Sequence, residues 1–506
     1  MSEPYDVAII GYGPAGATAA ALLGQAGLRT LVVDRDRDVY EKPRAFALDH
    51  EILRVYQGLG LAEALLKVSE PFTPSEYFGV DGQLIKRLGS LPPPWPLGWP
   101  PNFVFTQPAM ERALRARVAE FPSVEVALGT ELAGFRDAGD TVQLDLRAPG
   151  GGARKASARY LLGCDGASST VRKTLGIAHE DLQFDEPWLV VDVMLNAAGL
   201  AKVPAMSAQY CNPSRPTTYL VGPGAHRRWE ISLRPDEDRA AMENPEAVWR
   251  LLAPWIAPAD GELWRYASYR FHALVAREWR RGRVFLAGDA AHQQPPFTGQ
   301  GMCQGVRDVA NLCWKLALVL KGEAPDALLD TYGAERAPHV KRLTTTIKEI
   351  GEVICERDPV RARERDARLL AEAGGEVKTV PRQHLIPPLK EGLLSARGHG
   401  ANGTLFPQPR LASGALMDDA LPAGFRLVTR DAPLALSDTP VPVHVLSLRE
   451  RPEAEGVATE WFHRHQCRYA LVRPDHYVFG VAEDEDGARA LVRELETLLT
   501  KEAVLQ

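Results

Sequence analysis

The stretch Tyr5-Asp6-Val7-Ala8-Ile9-Ile10-Gly11-Tyr12-Gly13-Pro14-Ala15-Gly16 decides how the chain begins. Tyr5 to Ile10 is a short β-rich apolar run, the glycines make a tight turn, and the alanine-rich segment Ala15 to Ala26 reads as a helix. Thr30 to Val33 supplies a second apolar strand, so the unit is βαβ, with a right-handed crossover and a parallel sheet. Gly-x-Gly-x-x-Gly between strand and helix lets bare backbone amides approach a pyrophosphate at the positive end of the helix. Gly11, Gly13, Pro14, Ala15 and Gly16 are therefore candidate dinucleotide contacts. Asp34 and Arg35 close the second strand, where a carboxylate accepts hydrogen bonds from an adenosine ribose and disfavours a 2′-phosphate. This loop alone does not separate FAD from NAD.

Composition narrows the class. With 506 residues, 45% hydrophobic and 25% charged, the chain is long enough for two or three domains. A formal net charge of -6 gives no electrostatic case for nucleic acid or an anionic membrane as main partner. No apolar run reaches membrane-spanning length, and no secretory signal opens the chain. Six scattered cysteines show no metal spacing, so no metal site is expected, and reduced thiols in the cytoplasm are the default.

Further along, a Pro- and Trp-rich loop between Tyr77 and Phe105 interrupts the α/β pattern, and Gln107 to Ala119 reads as a helix. Strands are expected at Val124 to Leu128, Val142 to Leu146, Tyr160 to Leu162, Leu189 to Met194, Trp229 to Leu233 and Val284 to Ala287. A long helix follows, with Val306, Val309, Ala310, Cys313, Leu316, Ala317 and Leu320 at steps of three and four on one face. Beyond a charged helix, Arg361 to Ala373, and a Pro-containing linker, a small unit reads as strands at Phe425 to Val428, Val441 to Ser447 and Tyr469 to Val472, a hairpin at Tyr477 to Val481 and a closing helix.

Two more motifs give the first its meaning. Asp165-Gly166-Ala167-Ser168-Ser169-Thr170-Val171-Arg172 and Gly288-Asp289-Ala290-Ala291-His292 each follow a strand. In this order and spacing the three motifs resemble the para-hydroxybenzoate hydroxylase-like, class A flavoprotein monooxygenases, over residues 1 to about 395. The resemblance implies that the first motif holds the FAD pyrophosphate, Asp34 the adenosine ribose and Asp289 the ribityl chain. It also implies cofactor contacts from Arg44 and Gln107, and from Asp165 in shaping FAD and nicotinamide binding. Behind Gly288 and Asp289, the run Pro295-Pro296-Phe297-Thr298-Gly299-Gln300-Gly301-Met302 opens a helix. A helix N-terminus there stabilises the anionic reduced flavin by about 0.3 to 2 kcal/mol. Pro296, Gly299, Gly301, Met302 and Cys303 are thus candidate flavin contacts. Arg44-Ala45, Leu48 to Arg54, Arg228-Trp229-Glu230, Gly299 to Cys303 and Phe406-Pro407-Gln408-Pro409 look most like 3-(3-hydroxyphenyl)propionate hydroxylases.

The implied fold is α/β: a Rossmann-like FAD-binding domain, an inserted mixed-sheet substrate domain and a C-terminal thioredoxin-like domain. Nucleotide-binding parts are expected at about 1–75, 106–180 and 275–350, the substrate sheet at 76–105 and 181–274, a helical linker at 351–395 and the last domain at 396–506. That last domain has only Cys467 and no CxxC pair, so it reads as structural or as a homodimer surface.

The implied reaction has NADH or NADPH reduce FAD, after which O2 adds to give a C4a-hydroperoxide that transfers one oxygen ortho to the hydroxyl of a small phenol. The cofactor does the hard chemistry, while the protein positions the ring, excludes water and helps remove the phenolic proton. His50 is the candidate proton relay, and Arg228 the candidate partner of an arylpropionate carboxylate. His292 reads as structural, and Tyr210 and Tyr219 as core tyrosines or hydroxyl donors. A resorcinol, another phenol or a polyketide intermediate is the alternative substrate, and a non-hydroxylating flavoprotein that carries electrons or binds a ligand is the alternative class.

Overall fold

The computed structural model describes residues 3–437 and 439–500. Strand Tyr5–Ile10 sits between Thr30–Asp34 and Ala153–Gly163, parallel to both. Val124–Leu128 and Val284–Leu286 extend the parallel core on either side. Antiparallel strands Val142–Arg147, Glu131–Asp137 and Arg280–Arg281 complete eight. Helices Pro14–Gln25, Gln107–Ala119 and Gly301–Leu320 lie together on this sheet. Its central strands are apolar and buried, as both-face coverage requires.

A nine-stranded sheet stands beside it, in the order His292–Gln293, Gly261–Ala276, His179–Leu195, His226–Ser232, Thr217–Val221, Ser207–Tyr210, Ser75–Phe78, Leu84–Gly89 and Thr379–Pro381. Period-two alternation splits its side chains. On strand His226–Ser232, Trp229 and Ile231 join an outer cluster with helix Pro245–Leu252, whereas Arg228 and Glu230 face the other way.

Two expectations change in detail. The Pro- and Trp-rich segment carries three strands, Ser75–Phe78, Leu84–Gly89 and Asn102–Phe105; the last joins Ala47–Asp49 and Ser69–Pro71 in a separate small sheet. The region taken as linker is packed: helix Pro359–Glu372 lies against Leu84–Gly89, and Thr379–Pro381 adds the edge strand.

The C-terminal unit has the strand order Val443–Ser447, Phe425–Thr429, Tyr469–Val472, Val478–Ala482, with the first pair parallel and the others antiparallel. Helix Glu485–Thr500 covers it. The unit shares its core with the nucleotide sheet through Phe425, which meets Trp314 edge-on at 5.5 Å. Buried Arg473 ties it to Glu335, and buried Arg54 ties helix His50–Gly58 to Asp418. Among the described residues no helix is long and apolar enough to cross a membrane, and no cluster of His, Cys, Asp and Glu has metal-site geometry.

Candidate active site

The first glycine loop is shaped by close contacts. Gly11 has φ +100°, and a Cβ there would lie 2.3 Å from the Cys164 carbonyl oxygen; one on Gly16 would lie 2.0 Å from the Gly11 oxygen. Gly13 differs, with open space beside it. Asp34 accepts the Tyr12 amide at 2.5 Å and the Asp36 amide at 2.7 Å, so it braces the loop from the second strand. Its neighbour Arg35 is exposed.

The third motif comes back to this place. Gly288, at φ +60°, packs against Ala15 at the start of the first helix and against Gly305 on Gly301–Leu320. Its amide donates to Asp308 Oδ2 at 2.9 Å, and His292 Nε2 meets the same oxygen at 2.8 Å while Arg336 holds the other. Asp308 therefore fixes this turn, and His292, stacked on Trp279, is structural as expected. Asp165 accepts Ser169 Oγ at 2.6 Å and the Val171 amide at 3.0 Å, closing its own motif around the following helix.

Sequence neighbours Pro296 to Thr298 form a 3-10 turn ending at Gly299, φ +67°, where a Cβ would press on Ala47 at 3.0 Å. Gly301 then starts the long helix with open space beside it; Met302 is half-buried, and Cys303 is buried with its thiol toward the Ala47 carbonyl. Gln107 donates to Glu111 and accepts the backbone amides of Arg44, at 3.0 Å, and Ala45. Two expected cofactor residues are thus joined: Gln107 positions the irregular segment that carries the exposed Arg44 side chain.

These surroundings fit a flavin dinucleotide. The helices starting at Pro14 and Gly301, like those at Gln107, Asp330 and Val457, have no side-chain cap, and at the first two a glycine opens the turn. Uncapped N-termini present free amides to an anion, and the Pro14 and Gly301 helices each have open space at that glycine. Asp289 is solvent-accessible, yet burial by its surroundings raises its carboxyl pKa against the attraction of His292 and Arg44. An accessible carboxyl with that shift sits in a recess of the surface, not on a convex face.

The family comparison decides what the recess holds. A family model described as FAD binding domain matches residues 4–346. The chain belongs to this FAD-binding family of aromatic hydroxylases. A probable NADH-specific resorcinol 4-hydroxylase of Rhodococcus jostii (strain RHA1) is 36% identical over 97% of this chain and 94% of its own length. A 3-(3-hydroxy-phenyl)propionate/3-hydroxycinnamic acid hydroxylase of Burkholderia cenocepacia (strain HI2424) is 33% identical over 94% of this chain and 93% of its own. The fold is shared with the flavin-dependent monooxygenase PieE in complex with FAD and substrate, TM-score 0.82, 22% identity, 98% of this chain and 99% of that one. It is also shared with aklavinone-11 hydroxylase in a ternary complex with FAD and aklavinone, TM-score 0.79, 23% identity, 98% and 100%.

For this FAD-dependent hydroxylase both substrate-side candidates lie in the interior. Arg228 is buried, with Nε 2.7 Å from Asp192 Oδ1 and its remaining donors on Asp192 Oδ2 and the carbonyls of Pro43 and Arg44. Its carboxylate-binding edge is taken by Asp192, which corrects the assignment of a substrate carboxylate to Arg228: the residue anchors the Pro43–Arg44 backbone. His50 is not a surface residue but lies buried at the start of its helix, beside Asp49 and Glu51, which both bind Arg307. Burial pushes the imidazole down to about 4, against the pull of Asp49, so it is neutral at physiological pH. Tyr219 is core and donates to the Pro204 carbonyl at 3.0 Å; Tyr210 belongs to the outer cluster.

Arg382, from the stretch read as linker, went unrecognised. Its buried guanidinium reaches the Thr298 carbonyl at 2.6 Å and Ser75 Oγ at 3.3 Å, stacks 4.4 Å over Phe72, and has no carboxylate partner among the described residues. No local signal marks it, because its partners are more than eighty residues away in sequence.

Proposed function

We propose that the protein hydroxylates a small phenol ortho to its hydroxyl, using NADH and O2, with the flavin lying between the Arg44–Ala47 segment and the Pro296–Cys303 turn. What supports this reading is the uncapped N-terminus at Gly301 beside an enclosed sheet face, in a chain related along nearly its whole length to phenol hydroxylases. FAD supplies the reductive activation of O2. The overall balance is phenol, O2, NADH and a proton giving a dihydroxylated product, water and NAD.

The protein's share is positional. Free amides at Gly301 and Met302 favour negative charge on the reduced ring. Gly11, Gly13 and the Pro14 helix take the pyrophosphate, Asp34 the ribose and Asp289 the ribityl hydroxyls. Trp188, Phe271 and Phe297 pack together, with centroids 5.6 to 6.0 Å apart, as a dry wall. The C-terminal unit, read as thioredoxin-like, serves as a brace; its Arg473 and Asp418 ion pairs to the catalytic module support that role.

Both relatives' names describe phenols with a second substituent meta to the hydroxyl. A resorcinol-type substituent is favoured over a propionate, because Arg228 has no free carboxylate-binding edge. An NADH-consumption screen with resorcinol, 3-(3-hydroxyphenyl)propionate and 3-hydroxycinnamate tests the reading. Stimulation by resorcinol supports it, and a strong preference for either acid overturns the substituent assignment.

A further inference from the structure

Side chains opposite one another on neighbouring strands project side by side, so the inner face of the nine-stranded sheet is organised in rows. One row, Arg265, Asp192 and Arg228, grips the segment before Phe46: both arginines donate to the Pro43 carbonyl, and Arg228 lies 4.9 Å over the Phe46 ring. Four residues along, the row of Tyr269, Trp188 and Ser232 reaches the other segment, since Trp188 meets Phe297 edge-on at 5.6 Å. Between them run Ala267, Val190, Glu230, Thr218, Gln209 and Tyr77, in register across six strands. The flanking rows are engaged with the two segments that border the flavin, and the middle row faces the gap between those segments.

Within that row Ala267 and Val190 are small, and Thr218 satisfies Gln209 at 2.5 Å. Tyr77 Oη is buried without a partner. Glu230, 3% exposed, takes no hydrogen bond from any described residue. Buried carboxyls are ordinarily hydrogen-bonded, and one that is not, facing a ligand gap, is completed by a donor on the ligand.

We propose that Glu230 receives the hydroxyl of the phenolic substrate and takes its proton before oxygen transfer. The phenol O–H bond breaks, the proton passes to a Glu230 carboxylate oxygen, and the electron pair stays on the ring oxygen as a phenolate. The ortho carbon of the phenolate is the stronger nucleophile. The negative charge moves from one group to the other, so the pocket's net charge is constant. Arg228 on the same strand, Asp192 and Arg265 are the charged groups facing Glu230, with His226 bound behind Asp192; Thr218, Gln209 and Tyr77 are neutral. Burial pushes the Glu230 carboxyl up to about 7, Arg228 and Arg265 opposing and Asp192 adding to the rise. A base of that strength is matched to neutral pH.

The inference rests on the phenol-hydroxylase reading, and its test separates the two. FAD-loaded protein is titrated with 3-nitrophenol, whose ionisation is read by absorbance, across pH in wild type, Glu230→Gln and Glu230→Asp. In wild type the adjacent carboxylate makes the bound probe ionise at higher pH than in solution; Glu230→Gln removes that rise, and Glu230→Asp restores part of it. Resorcinol turnover by Glu230→Gln falls about 100-fold at pH 7 and recovers as pH rises. Unshifted ionisation of bound probe in wild type, or an unchanged shift in Glu230→Gln, overturns the proposal. If the variants lose FAD, the wild-type titration decides. A wild type that oxygenates no phenol removes the hydroxylase reading while leaving the ionisation result to decide Glu230.

Discussion

Arg228 and Asp192 close on each other in the interior of the substrate sheet, Nε to Oδ1 2.7 Å, and through Arg228 the pair holds the carbonyls of Pro43 and Arg44. The sheet and the cofactor-binding segment are joined by this contact. Arg228→Ala leaves the Asp192 charge with only His226 and a more distant Arg265. We expect a loss of about 3 kcal/mol, read as a lower Tm. The Michaelis constants for resorcinol and for 3-(3-hydroxyphenyl)propionate should rise by the same factor, because the loosened part is the backbone near residue 44; a selective rise for the acid would return Arg228 to carboxylate recognition.

Gly11 and Gly13 separate folding from cofactor binding. Gly11→Ala drives a Cβ into the Cys164 carbonyl at positive φ, so the apoprotein itself should be destabilised. Gly13→Ala meets nothing within 4 Å in the protein and has ordinary φ. Its apoprotein Tm should match wild type, with bound FAD reduced. Full FAD content in purified Gly13→Ala would remove the pyrophosphate from that position.

Asp289→Ala removes a carboxyl that lines the recess and makes no ion pair with a described residue. The expected outcome is weak FAD retention with unchanged apoprotein melting. Protein that stays fully yellow through dialysis contradicts the ribityl assignment.

The brace to the C-terminal unit predicts an acid dependence. Glu335 is fully buried with Arg473 and Lys315. Burial alone would raise its carboxyl, but Arg473 and then Lys315 hold it down at about 2, against an ordinary 4.5. Lys315 is itself pushed down to about 8 by burial, so Arg473 is the firmer partner. A depressed carboxyl stabilises fully above its unfolded value and loses that contribution as pH falls toward the folded one. The Tm gap between wild type and Glu335→Gln should therefore be constant between about pH 5 and 7, where Lys315 keeps its charge, and shrink below that range; a gap that widens in acid refutes the pair.

Local features were legible in the sequence and cross-sheet features were not. Tyr5–Ile10, Gln107–Ala119 and the apolar face of Gly301–Leu320 follow from composition and period alone. The helix Asp330–Cys355 was obscured by Pro338 in its interior, a residue that usually ends a helix. Arg228 in a strand gave no hint that Asp192 would consume it, because their register is set by pairing between distant segments. For the same reason Glu230 read as one letter of a family-like triplet, and Arg382 as part of a linker. Asp308 was hidden among the apolar steps of its helix.

The central claim is oxygenation of a phenol. It is tested most directly by incubating FAD-loaded protein with NADH, resorcinol and 18O-labelled O2 and analysing the product by mass spectrometry. The account predicts one 18O atom incorporated on the carbon ortho to a hydroxyl, with one NADH consumed per product. Resorcinol-stimulated NADH consumption that yields only hydrogen peroxide and unmodified resorcinol would contradict it.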